Sequence, residues 1–379
     1  MTGRERLLAA MQREEVDYPP CAPVFWSSPV EPGFQWRTEE ERLEVCIERL
    51  GVDAVAHFGI PLGVNPDVRE RAWEEHAPAE PLPLVHKVIE TPAGTLTATA
   101  RKTEDWPHGT DIPLMSDFVV SRIVKPWIRT HADLDCFEQV WLPPDWTAVQ
   151  AREALEPTRR MAGRWGAPIA LQTGHGWTLS LSLMGAEAAP LLSVDQPELL
   201  DRLAEIDHRV AMRRIELGIA AGVDYLHRNG FYETTDFWSP AQIERHLLPR
   251  HQQQTALGHQ AGLPSVYTIC TGIMPMLDLL NRAGFDCLYG IEPVLGNQNL
   301  RGVAEVLGQD HAFWGGLSAP MHVGEGTPAD VRETVRQFYE VFGRRGTILM
   351  ATPSIRPQWK WENVVAMIEE WSALRGLER

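Results

Sequence analysis

The sequence predicts an α/β fold of the (β/α)8 kind, a parallel sheet with crossover helices, on three observations. Short apolar runs alternate with longer helical patterns from about residue 165 onward. With two more in the N-terminal half, these runs make eight candidate strands. The segments between them carry helix-start signals.

Taken in chain order, Ala22–Trp26 is the first candidate strand, a charged helix runs from Thr38 to Leu50, and Asp53–Phe58 is the second strand. Val85–Arg101 reads differently. There Ile89-Glu90-Thr91-Pro92-Ala93-Gly94-Thr95-Leu96 joins two alternating runs through a Pro/Gly turn, as a β-hairpin does, and is expected to cross the barrel mouth. Residues 103–147, rich in Pro, Trp and Asp, are expected to form a lid or irregular insertion. An insertion over about 83–147 thus interrupts a single domain spanning 1–379. The remaining strands are Pro168–Gln172, Asp224–Arg228, Ser265–Cys270, Asp286–Ile291, Ala312–Gly315 and Thr347–Ala351.

Two helix starts among them share one device. Thr327-Pro328-Ala329-Asp330 supplies an N-cap, a proline at the first helical position and an acid in the first turn, with Val331, Val335, Phe338 and Phe342 along one face. Ser239-Pro240-Ala241-Gln242 repeats it, with Gln242 placed as in a capping box.

Composition excludes several function classes. A net charge of −16, with no basic stripe to offset it, would repel a phosphate backbone, so nucleic acid is not an expected partner. The sequence has no apolar run of about 18 residues, and Met1–Arg6 opens straight into an amphipathic helical pattern; a soluble, cytoplasmic protein without membrane association is expected. The five cysteines, Cys21, Cys46, Cys136, Cys270 and Cys287, include no CxxC pair, which argues against a disulfide framework or zinc ribbon.

In a barrel of this kind catalytic groups sit where strands end. Those positions hold Phe25 and Trp26, His57, Thr173-Gly174-His175-Gly176-Trp177, Asn229 to Glu233, Cys270-Thr271-Gly272, Glu292, and Ser354-Ile355-Arg356. His175 has a glycine on each side, which brings backbone close and leaves the imidazole few packing partners. His57 ends a strand and faces either the mouth or a structural partner. Glu233 lies among Phe231, Tyr232, Phe237 and Trp238, a setting that can raise a carboxyl pKa for acid or base work; the alternative is favourable placement near the following helix N-terminus. Cys270 ends a strand, where a thiolate can ligate metal, although free cysteines are more often core residues. Arg356 could clamp a carboxylate or phosphate, or form a surface ion pair. Trp26, Trp177 and Trp238 are the tryptophans expected to line a pocket, with Asn229 and Glu292 as further substrate contacts.

Further segments stand in a recognisable order: Arg4-Glu5-Arg6-Leu7-Leu8-Ala9-Ala10 with Asp17 and Pro20, Gly222-Val223-Asp224, Ser239-Pro240 followed by Pro249, Gly262 before Ser265–Cys270, Gly284-Phe285-Asp286, Gly315-Gly316, Gly326-Thr327-Pro328 with Val331, and Glu362-Asn363-Val364 with Ala366-Met367-Ile368. Together they resemble the uroporphyrinogen decarboxylase superfamily, which includes methyltransferases serving corrinoid proteins and coenzyme M. The resemblance implies a TIM barrel, and its homodimers imply the same state here.

Two departures narrow the chemistry. Decarboxylases of the family carry an arginine-bearing segment after the first strand, whereas Phe25-Trp26-Ser27-Ser28-Pro29-Val30-Glu31-Pro32 has none before Arg37. Zinc-dependent methyltransferases of the family use His-x-Cys and a later Cys. Here Cys270 keeps the first cysteine, but Thr268 stands at the histidine and Ser354 at about the second cysteine. A zinc site from Cys270 with Glu233 or a histidine is left as an option.

The leading expectation is therefore a methyltransferase moving a methyl group between a small methylated substrate and a corrinoid, free or on a partner protein, with His175 or Glu233 protonating the leaving atom. The alternative is a cofactor-free lyase that decarboxylates a small acid held by Arg356, and a third reading is a ligand-binding protein that has lost activity.

Overall fold

The computed structural model describes residues 1–76, 78 and 80–375. Among them are eleven strands: β1 (Ala56–Phe58), β2 (Arg69–Glu75), β3 (Leu84–Thr91), β4 (Gly94–Arg101), β5 (Ile123–Lys125), β6 (Ile169–Gln172), β7 (Tyr225–Asn229), β8 (Ser265–Thr268), β9 (Cys287–Tyr289), β10 (Ala312–Ser318) and β11 (Thr347–Thr352). Two compact units divide the chain, one of residues 1–60, 147–172 and 215–379, the other of 61–146 and 173–214.

The first unit holds a curled parallel sheet of seven strands in the order β1-β6-β7-β8-β9-β10-β11. Neighbours follow one another in sequence because each connection crosses back over a helix, the arrangement expected from alternating strand and helix patterns. Seven of the eight expected strands are present with ends moved by a few residues. Ala22–Trp26 is the exception. It makes only isolated parallel bridges, Cys21 to Leu349 and Phe25 to Ile355. Pro19, Pro20 and Pro23 lack the N–H groups that a continuous ladder needs. The segment is held all the same: Ala22 N–H donates to Leu349 O at 3.0 Å, and Asp53 N–H donates to Cys21 O at 2.7 Å.

Alternate strand residues point inward and form the core. Val55, Ala170, Tyr225, Val266, Cys287, Ala312, Trp314, Ile348 and Met350 pack together, joined by Leu7, Ala10 and Met11 of the first helix, Gly3–Met11. Trp314 Nε1 donates to Ala22 O at 3.1 Å. Burial of Leu7, 0% exposed, makes Leu7→Ala a loss of about 2–5 kcal/mol. Arg6 anchors the same helix through Asp17 (2.7 Å) and the buried Asp53 (2.6 Å), lying 3.8 Å over the Tyr18 ring. Burial nevertheless raises Asp53 to about 6, outweighing the attraction of Arg6.

The capping signals are realised. Thr327 and Asp330 close a capping box over helix Pro328–Phe342, and Ser239 and Gln242 do the same at Pro240. The charged helix is capped by Thr38, runs Glu39–Glu44, and continues as one π turn, Val45–Arg49.

The second unit contains the expected hairpin, β3 and β4, turning at Pro92-Ala93, within a larger antiparallel sheet of order β2-β3-β4-β5. The stretch 103–147 is more regular than its composition suggests. It supplies β5 and the helices Asp117–Val120 and His131–Phe137, the second closed by a Thr130–Asp133 capping box. No helix of the described residues is long and apolar enough to cross a membrane.

Candidate functional site

Parallel strands place their C-termini on one side of a sheet, so the ends of β7 to β11 can be followed as one row. His227, on β7, brings Nε2 to 2.7 Å from Thr268 Oγ1 on β8, and its ring meets that of Tyr289 on β9 at 5.1 Å. Burial, aided by nearby His57, lowers the His227 pKa to about 3, so the imidazole is neutral. Beyond Tyr289, whose hydroxyl donates to Pro353 O at 3.3 Å, the chain turns at Gly290. Gly290 has φ of +93°, a left-handed backbone that glycine permits, and it lies beside the Cys270 thiol.

Glu292 follows this turn. Its Oε1 accepts the N–H of Val294 (2.9 Å) and Leu295 (3.3 Å), and the Ser318 hydroxyl at the end of β10 also contacts the carboxyl. These donors are neutral. Burial therefore prevails and raises the pKa above the ordinary carboxyl value of 4.5 on a group that is 3% exposed. Ser354 is buried, and the Thr352 hydroxyl two residues before it is buried without a hydrogen-bond partner among the described residues.

Glu233 is different from what its aromatic setting suggests. Its carboxylate is 0% exposed and accepts from Arg228 Nη2 (2.8 Å), Tyr267 Oη (2.8 Å) and His251 Nε2 (3.1 Å). Burial opposes its charge, but Arg228 and His251 together hold the pKa well below the usual carboxylate range. The expected raised pKa is thus corrected: Glu233 is a saturated anion that organises the loop after β7. Tyr267 stacks on Phe285 at 4.4 Å and 7°, and His251 packs against both rings, which fixes the donors. A Cβ on Gly230 would come within 2.1 Å of the Tyr267 ring, so only glycine fits there.

Other expected residues find varied places. Asn229 Oδ1 accepts Phe231 N–H at 3.3 Å, a turn contact. Trp238 is 1% exposed and donates Nε1–H to Tyr232 O at 2.7 Å; it is a core residue of this loop instead of an open pocket wall. His57 is exposed and lies 3.4 Å from Glu39 on the preceding helix. Trp26 is 48% exposed, and the Arg356 guanidinium lies over it at 4.3 Å.

His175 and Trp177 belong to the second unit. The backbone N–H groups of His175 (2.9 Å) and Gly176 (2.6 Å) donate to Asp207 Oδ2, while Trp141 Nε1–H donates to Oδ1 at 3.2 Å. Buried Asp207 thus fixes the loop. Trp177 is 1% exposed with Nε1–H donating to Leu200 O, which also makes it core.

The donor set does not fit zinc. Cys270 is buried, Thr268 and Ser354 offer hydroxyls in place of a histidine and a thiolate, and Glu233 is committed to Arg228, Tyr267 and His251. Among the described residues no three His, Cys, Asp or Glu side chains group as metal ligands.

Sequence reasoning missed His227, Tyr289 and Ser318. His227 and Tyr289 read as strand interior, and Ser318 lies three residues past the expected end of its strand. A histidine following the apolar Tyr225-Leu226 pair within a strand was the available signal for the first.

Comparison with known proteins places this geometry. The chain shares its fold with a methyltransferase from Methanosarcina mazei (TM-score 0.60, 17% identity, 99% of each chain). It is also similar to a B12-independent methionine synthase from Shewanella sp. W3-18-1 (TM-score 0.51, 11% identity, 94% of this chain and 96% of that one). No curated protein matches the sequence. The family model for uroporphyrinogen decarboxylase (URO-D) matches residues 117–374, a span that takes in β6 to β11 and most of the strand-end row, and the chain belongs to that family.

Proposed function

We propose that this protein is a methyltransferase that moves a methyl group between a small methylated substrate and a corrinoid, free or carried by a partner protein, working as a cytoplasmic enzyme. We read the Pro20–Trp26 segment as the eighth stave that closes its barrel, since it is hydrogen-bonded to β11 and to Asp53 ahead of β1. The observation that carries the proposal is Glu292, a buried carboxyl with raised pKa at a strand end. The full-length likeness to the Methanosarcina mazei methyltransferase supports the reaction class.

In this reading a corrinoid would supply the nucleophile that accepts the methyl group, and Glu292 gives its proton to the leaving oxygen or nitrogen, which receives the electron pair of the broken bond. His227 stays neutral, its Nε2 held at 2.7 Å from Thr268 Oγ1. Incubation with cob(I)alamin and a panel of methoxyaromatics and methylamines should produce methylcobalamin absorbance, diminished in Glu292→Gln. Silence across the panel contradicts the proposal.

One observation favours the second reading, a cofactor-free lyase acting on a carboxylated substrate: among the described residues the Arg356 guanidinium has only the Trp26 ring as partner. Carbon dioxide release from small aromatic acids, without corrinoid, would select that reading over methyl transfer.

A further inference from the structure

The geometry points to Arg356 and Trp26 as a clamp for a carboxylate carried on an aromatic body. This inference names the substrate class of the strand-end site and rests on the reading above.

The two residues are held together by backbone. Trp26 N–H donates to Ile355 O at 2.9 Å, and Ile355 N–H donates to Val24 O at 2.8 Å, so the loop after β11 and the segment ahead of the charged helix form one platform. Pro353 and Pro357 flank the arginine and restrict that loop. Behind Trp26, Phe25 packs on Trp36 (5.5 Å) and Trp361 (6.4 Å), and Trp361 packs on Phe34 (4.8 Å). The platform is rigid and aromatic.

Arg356 is half-buried and lies 4.3 Å over the Trp26 ring. Stacking engages the π face of the guanidinium and consumes none of its in-plane N–H donors. Elsewhere in the first unit buried arginines spend those donors on carboxylates, Arg6 on Asp53 and Arg228 on Glu233. Arg356 does not: among the described residues the Trp26 ring is its only partner. In a chain of net charge −16 acids are abundant, so an oriented, unneutralised fork is a free site for an oxyanion. A planar carboxylate matches the fork with two parallel hydrogen bonds. Trp26, 48% exposed, offers the flank against which an aromatic ring can lie.

The test reads binding, so it is independent of turnover. Calorimetric titration of the full chain compares 4-methoxybenzoate with neutral 4-methoxybenzyl alcohol, with acetate and inorganic phosphate as competitors. The benzoate should bind roughly tenfold to a hundredfold more tightly than the alcohol, the span of charge-assisted hydrogen bonds. Arg356→Gln should erase that difference while leaving the alcohol unchanged, and Arg356→Lys should restore part of it. Circular dichroism and Tm of each variant confirm folding. Equal binding of acid and alcohol, no binding of either at millimolar concentration, insensitivity to Arg356→Gln, or phosphate competing as well as benzoate overturns the clamp. Benzoate binding with no methyl transfer leaves the clamp intact and removes only the proposed reaction.

Discussion

Glu233 and Glu292 are two buried carboxylates beyond strand ends of the same parallel sheet, and they are opposites. Glu233 is surrounded by Arg228, His251 and Tyr267 and held as an anion. Glu292 meets two backbone N–H groups and a serine hydroxyl, and burial raises its pKa. Burial is common to both, so the partners decide the charge. A charged donor converts a buried acid into structure, and neutral donors leave it as a source of protons.

The largest break in this contrast is Glu233→Gln. It strands the Arg228 guanidinium in the interior, and urea unfolding should show a loss of about 3–5 kcal/mol. Glu292→Gln strands no cation, so its stability should stay within ~1 kcal/mol of the parent. Methyl transfer by that variant should fall about a hundredfold, the low end for loss of a general acid. A variant pair with these outcomes exchanged would reverse the assignment of roles.

Gly230→Ala probes the Glu233 side more gently. The new methyl would displace the Tyr267 ring and its hydrogen bond to Glu233, and a loss of about 1–3 kcal/mol in chemical denaturation is expected.

Much of the fold was legible because its signals are local. Alternation of apolar strands with capped helices located β6 to β11 to within a few residues, and Thr327 and Ser239 cap as their sequence contexts indicate. The N-terminal strand was not, because spacing shows the apolar character of Ala22–Trp26 but not how few ladder bonds Pro19, Pro20 and Pro23 permit. The site was legible in outline only. Position beyond a strand end identified Glu233 and Glu292 equally, yet the groups that separate them come from distant segments: His251 lies 18 residues and Tyr267 34 residues from Glu233. Charge state depends on those neighbours, and no local pattern encodes them. Trp177 and Trp238 misled for a related reason, since a tryptophan beside a strand end looks the same whether its N–H meets a ligand or a backbone carbonyl.

The remaining expected effects are in pH dependence. His227 has a folded pKa of about 3 against 6.5 when unfolded, so its contribution to stability is present above 6.5 and is lost as pH falls toward 3. Denaturation between pH 6.5 and 4 should decline less steeply in His227→Gln. Glu292 has the reverse sign: its folded pKa is raised, so the folded state holds the extra proton and stability declines as pH rises from 4.5 through that value.

Infrared difference titration of the wild type against Glu292→Gln and Glu233→Gln, following carboxyl and carboxylate bands, tests the central claim most directly. The contrast predicts a Glu292 carboxyl that stays protonated above pH 4.5 and a Glu233 carboxylate that stays ionised below it. A Glu292 that ionises at or below 4.5, or a Glu233 that protonates above it, would contradict the account.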